Sequence, residues 1–148
     1  MHHGLTKFKN GVVANFVTVK KSDKVLFILD GLPGGSDKNQ VTEAFAKKGY
    51  FVIHPRYKGT WASQGRFLNH SPAKDILNLL PLLPLGFVDY WSGKKFRIRP
   101  KKIYVVGASF GGMVSLISAL DRRITKVVAF SPVISWTAET KQEPLSRL

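Results

Sequence analysis

The chain has 148 residues, 44% of them hydrophobic, which fits one globular domain with a fair-sized core and excludes a disordered segment. It contains no cysteine, so disulfides, thiolate-zinc sites and a cysteine nucleophile are ruled out, in keeping with a reducing compartment. Lysine and arginine total 23 against 9 acidic residues, a net charge of +14 that raises nucleic acid or anionic surfaces as partners.

The N-terminus, MHHGLTKFKNG, lacks the apolar core of a signal peptide, and His2 and His3 are expected in a mobile terminus. Val12 to Val19 predicts a strand, rich in β-branched and aromatic residues between turn residues. Lys21-Ser22-Asp23 turns the chain into Val25-Leu26-Phe27-Ile28-Leu29, a continuous apolar run of the kind that is buried on both faces. It stops at the glycine- and proline-rich DGLPGGS.

Gln40 to Lys48 has helical spacing, with Val41, Ala44 and Phe45 on one face and Gly49 as the stop. Tyr50 to Ile53 is another short apolar strand, ended by His54-Pro55. A loop of about twenty residues follows, containing RYKGTWASQGRF; unstructured loops of that length are usually functional. Ser71 and Pro72 are the expected cap and first turn of a helix running through Ile76, Leu77, Leu79 and Leu80. The apolar stretch from Ile76 to Trp91 is broken by Pro81, Pro84 and Asp89 and is too short to span a bilayer. The protein is therefore read as soluble and cytoplasmic.

The one dense basic run is Lys94, Lys95, Arg97, Arg99, Lys101 and Lys102. It leads straight into an apolar strand and has no zinc-finger, RNA-recognition or helix-turn-helix pattern beside it, so it is read as a solvated loop. Ile103 to Val106 predicts a third buried strand, then GASFGG and an apolar helix from Met113 to Leu120. Val127 to Phe130 is the last strand, closed by Ser131-Pro132. Alternation of this kind implies an α/β fold: a mostly parallel sheet with helices on both faces.

Chemistry concentrates at Val105-Val106-Gly107-Ala108-Ser109-Phe110-Gly111-Gly112, a G-x-S-x-G between a buried strand and a helix. That context is what a nucleophile elbow requires. The turn is sharp enough that side chains two residues either side of the serine would collide, which calls for Gly107 and Gly111. It leaves the Ser109 hydroxyl above the carboxyl end of the strand. The Phe110 amide, at a helix N-terminus, is then positioned to donate to an oxyanion. A second donor is expected from Asp30-Gly31-Leu32-Pro33-Gly34-Gly35, with the Leu32 amide as the candidate.

From about Val25 to Trp136 the chain resembles an α/β-hydrolase of the prolyl-oligopeptidase-like and related esterase group. The resemblance rests on four pieces in order: DGLPGGS where that group often has an HG-x-PG loop, KKGYFVIHPRYKGTWASQGRF, SPAKDI, and VVGASFGG. It implies a serine hydrolase acting on carboxylic esters or peptides through an acyl-enzyme on Ser109, with no cofactor and no metal.

Two departures stand out. Asp30 occupies the position where the group usually has a loop-organising histidine, so the oxyanion hole is expected to be weakened or reshaped. In this fold the triad runs Ser, Asp or Glu, His in chain order. Yet none of the 39 residues after Ser109 is a histidine, and the acids there are Asp121, Glu139 and Glu143. Asp121 is expected as a helix-end surface charge, and His54 and His70 in surface or loop roles.

The resemblance places residues 1–148 as a single α/β-hydrolase domain, C-terminally truncated, with strands through the sixth of eight. Self-association or a partner chain is then expected along the open edge of the Val127 to Phe130 strand. Besides a small-molecule ester or peptide substrate, neither nucleic acid nor membrane is expected as a partner. The alternative reading is a truncated or degenerate, non-catalytic domain of the same ancestry.

Overall fold

The computed structural model describes residues 1–31 and 38–135. Six strands form the main sheet: β1 (His2–Lys7), β2 (Val13–Thr18), β3 (Lys24–Leu29), β4 (Phe51–Pro55), β7 (Lys102–Ala108) and β8 (Lys126–Phe130). They lie in the order β1-β2-β4-β3-β7-β8. The β1/β2 and β2/β4 pairs are antiparallel, and β4, β3, β7 and β8 run parallel. A two-stranded hairpin, β5 (Phe87–Val88) and β6 (Lys95–Phe96), stands apart.

Side chains alternate across the sheet and define two apolar layers. Phe27, Leu29, Ile53 and Val105 face one side, where they meet Ala73 and Ile76 of α2 (Pro72–Leu77) and Phe110 and Val114 of α3 (Phe110–Ser118). Leu26, Ile28 and Val52 face the other, where Ala46 of α1 (Asn39–Lys47) packs on them. Helices thus cover both faces, the α/β arrangement anticipated from the alternation of elements.

The face of α1 matches the expected one only in part: Phe45 packs against this second layer, but Val41 and Ala44 do not turn inward. Thr42 and Ala46 are its buried residues, while Val41 is exposed. Small side chains let the helix backbone approach β2 and β4 closely, and that proximity outweighs the apolar count. Ser71 does precede α2, but its side chain makes no capping bond; its carbonyl accepts the Lys74 amide instead. Gly49, at φ +89°, ends α1 with its amide on the Ala46 carbonyl.

The N-terminus is a strand and not a mobile tail. Gly4 makes β1 possible, since a Cβ there would sit 2.2 Å from the Phe16 ring. The His2 ring packs 5.0 Å from that of Phe96, and its Nε2 lies 3.2 Å from Asp89 Oδ2. The Asp89 carboxylate also accepts the amides of Leu5, Trp91 and Ser92 and the Ser92 hydroxyl. Burial alone would push this carboxyl up; those donors outweigh it and hold the group at about 2.

At the far end β8 pairs only with β7 among the described residues. Its Val128 and Phe130 side chains are 47% and 60% exposed, so an apolar strip beside α1's side of the sheet is left open there. No helix among the described residues is long and apolar enough to cross a membrane.

Candidate active site

The parallel strands β3, β4 and β7 end on one rim, and the residues singled out for chemistry gather on it. β7 ends at Ala108, α3 begins at Phe110, and the single residue between them, Ser109, has φ 52° and ψ −119°. An L-residue is strained in that conformation by about 1–3 kcal/mol. The strain is held by three backbone bonds. The Ser109 amide donates to the Phe130 carbonyl at 2.9 Å, and the Ser109 carbonyl accepts the amides of Met113 and Val133. The Ser109 side chain is exposed above the sheet.

The glycines around it are required by space. A Cβ on Gly107 would lie 2.2 Å from the Gly111 carbonyl oxygen, and one on Gly111 would lie 2.3 Å from the Asp30 carbonyl oxygen. Both obstacles are backbone atoms, which cannot swing away. A Cβ on Gly112 would also be tight, 3.0 Å from Pro132. The elbow is thus wedged against the end of β3, and a Cβ on Gly31 would sit 3.6 Å from Ser109 Cβ. The Phe110 amide opens α3 beside Ser109. Leu32 lies outside the described residues.

The long segment after β4 is the second support of the rim. It has no regular secondary structure between Pro55 and Pro72 but is folded by its own bonds. Ser63 Oγ donates to the Arg56 carbonyl and accepts the Val13 amide, and Thr60 Oγ donates to the Tyr57 carbonyl. Tyr57 is buried and its hydroxyl donates to the Asp30 carbonyl at 3.0 Å. Burial, and then the charges of Asp30 and Asp75, push this phenol far above its usual range, so it stays protonated as a donor. The Tyr57 and Phe67 rings pack on Phe110 at 5.2 and 5.7 Å, tying the segment to the start of α3.

His54 is not a surface residue: it is 6% exposed near the end of β4, and its Nε2 lies 2.7 Å from Asp30 Oδ2. Lys38 Nζ approaches the other carboxylate oxygen at 3.8 Å. The aspartate that replaces the expected histidine therefore has a histidine as its partner, contributed by the neighbouring strand. A polar residue at the end of an apolar run was the signal for this pair, but only strand order shows that β3 and β4 are adjacent. His70 Nε2 is likewise engaged, 2.8 Å from Asp75 Oδ1, while Asp75 Oδ2 accepts the Lys58 amide. Among the described residues neither histidine hydrogen-bonds to Ser109. Asp121 forms a two-bond pair with Arg123 that lowers its carboxyl to about 2. Glu139 and Glu143 lie outside the described residues.

No family model and no curated protein matches the chain. Solved structures do. The structure of DcsB in complex with its substrate analogue superposes with a TM-score of 0.70 at 19% identity, covering 95% of this chain and 48% of that one. A Pyrococcus furiosus esterase gives 0.63 at 20% identity, over 88% of this chain and 51% of its own. A lidless α/β serine hydrolase from Xanthomonas campestris gives 0.64 at 17% identity, over 88% and 61%. The chain thus spans about half to three-fifths of the length of these structures. At such identities the likeness speaks for architecture alone, and the architecture is that of the α/β-hydrolase fold.

Proposed function

We propose that residues 1–148 are the nucleophile-bearing part of a cytoplasmic serine hydrolase, of the prolyl-oligopeptidase-like and esterase group, that cleaves carboxylic esters or peptide bonds. The observation that carries this reading is Ser109 itself: an exposed serine on a strained backbone, between two glycines at which a Cβ would lie 2.2 and 2.3 Å from neighbouring carbonyl oxygens. Trp61, Leu68 and Ser131 also have positive φ, but at Ser109 it falls between a parallel strand and a helix, with a glycine two residues to either side, which is the context of a nucleophile elbow.

In this reading Ser109 Oγ attacks the substrate carbonyl and gives its proton to a base. The amides of Phe110 and Leu32 donate to the oxyanion, and collapse of the tetrahedral intermediate expels the alcohol or amine and leaves an acyl-serine. Water then releases the acid. With His54 and His70 occupied by Asp30 and Asp75, the base and its orienting acid come from residues outside these 148, carried on a segment that pairs with β8.

A non-catalytic domain is the second reading, favoured by the same engagement of both histidines. Fluorophosphonate labelling in the presence and absence of added imidazole separates the two. Imidazole takes the Oγ proton while the P–F bond breaks and fluoride leaves. A label on Ser109 that imidazole accelerates, and that Ser109→Ala abolishes, is the expected result. No label on Ser109 at saturating imidazole would overturn the hydrolase reading.

A further inference from the structure

The chain's excess of positive charge plays no part in ester or peptide cleavage at Ser109. Much of it converges at the opposite rim, where the parallel strands begin. A cleft of about 740 Å³ opens there between three segments distant in sequence: the turn from Lys20 to Lys24, the end of α1 at Lys48 and Gly49, and the approach to β7 at Arg97, Ile98 and Arg99. Six cationic side chains line it (Lys20, Lys21, Lys24, Lys48, Arg97 and Arg99), all exposed. Asp23 is the one carboxylate in the lining, and Lys101 is already 3.4 Å from it.

The walls are held by bonds that do not involve the charges. Ser22 Oγ donates to the Gly49 carbonyl at 2.6 Å, joining the first segment to the second. The Asp23 carbonyl accepts the amides of Lys101 and Lys102 at 2.8 and 3.2 Å, joining it to the start of β7. The Ile98 amide donates to the Leu83 carbonyl, and the Ile98 side chain is 4% exposed. Extended backbone then turns Arg97 and Arg99 outward on the face opposite Ile98. The guanidinium groups thus stand on a backbone anchored from below.

Like charges gathered in one concavity repel one another, and low-dielectric walls focus their field. Such a cluster costs stability unless an anion neutralises it. We propose that this cleft binds a compact oligophosphate, a ligand whose several charges and many acceptor oxygens match a ring of lysines and two arginines. No aromatic residue lines the cleft, which argues against an extended single-stranded nucleic acid, whose bases would want aromatic stacking partners. A nucleoside triphosphate and a simple phosphate chain share the recognised chemistry. With no aromatic residue in the lining and the two guanidinium groups committed to phosphate oxygens, a base is predicted to add little to affinity.

The test uses the full chain and inorganic tripolyphosphate, followed by calorimetry at fixed ionic strength. The expected result is one saturable site that binds tripolyphosphate at least about tenfold tighter than orthophosphate, as charge-assisted contacts accumulate. ATP should bind within about twofold of tripolyphosphate, since no aromatic side chain lines the cleft and both guanidinium groups are engaged by the phosphates. Arg97→Gln/Arg99→Gln should weaken binding about tenfold or more, while Lys94→Gln/Lys95→Gln, in the same basic run but outside the cleft, should leave it within about twofold. Relief of repulsion should also give the R97Q/R99Q variant a melting temperature no lower than that of the parent without ligand, which shows that it folds. The proposal is overturned if tripolyphosphate binds no tighter than orthophosphate, or if the two double variants lose binding equally. Tighter binding of a single-stranded oligonucleotide than of tripolyphosphate would overturn it in favour of a nucleic-acid surface. None of these outcomes depends on Ser109, so the hydrolase reading stands or falls separately.

Discussion

Tyr57 and Asp30 join the two halves of the rim that carries Ser109: the buried Tyr57 hydroxyl donates at 3.0 Å to the carbonyl of Asp30, whose oxygen also lies 2.3 Å from where a Cβ of Gly111 would be. One backbone carbonyl thus meets both the long segment after β4 and the helix that begins beside Ser109. Tyr57→Phe removes the donor and keeps the ring packing on Phe110. Loss of that buried hydrogen bond should cost about 1–2 kcal/mol in denaturant unfolding. It should also slow imidazole-assisted labelling of Ser109, because the end of β3 is no longer held against the elbow.

The strain at Ser109 predicts that stability and reactivity move in opposite directions. Glycine tolerates positive φ, so Ser109→Gly should stabilise the fold by about 1 kcal/mol while abolishing labelling. A destabilised S109G would mean that the hydroxyl, and not the backbone, is what the fold needs there. Gly107→Ala should act the other way and cost about 2–4 kcal/mol, since its Cβ meets an immovable carbonyl.

His54 and Asp30 form a buried pair 2.7 Å apart. Removing either partner breaks a close contact in a site where little water reaches, so Asp30→Asn and His54→Ala should each cost about 2–4 kcal/mol. The double variant should cost clearly less than the sum, and a double-mutant cycle measures the coupling. Additive losses would show that His54 is not the partner that matters to the carboxylate, and that other contacts, Lys38 among them, hold it.

Asp89 predicts the acid side of the stability profile. Its carboxyl titrates at about 2 in the fold against an ordinary 3.8, so the fold binds this proton less readily than the unfolded chain does. The contribution, about 2 kcal/mol, is therefore complete well above the unfolded value and is lost as pH falls from about 4 through about 2. Asp89→Asn should destabilise at neutral pH by a similar amount, and the gap between variant and parent should close on acidification. Urea unfolding at a series of pH values reads both. A constant gap would mean that the Leu5, Trp91 and Ser92 donors do not discriminate the charged carboxyl.

Much of the architecture is local and was therefore legible. Runs such as Val25–Leu29 and Ile103–Val106 are apolar on both faces, and the glycines around Ser109 mark a turn that nothing larger can make. β1 was not legible, because HHGLTK has neither an apolar face nor a strong strand preference; it is a strand because β2 and the Asp89 cluster receive it. The second strand of the hairpin, β6, was hidden inside a basic run where Phe96 and Ile98, packed toward the core, alternate with exposed lysine and arginine.

By itself, then, the sequence determined the class of fold, the elbow and its serine, because each depends on residues within a few positions of one another. Tertiary structure alone decided which distant groups meet. It paired Asp30 with His54 through the adjacency of β3 and β4, committed His70 to Asp75, and drew three separate basic segments into one cleft. Such meetings depend on strand order and on the path of long connections, and side-chain periodicity carries no information about either.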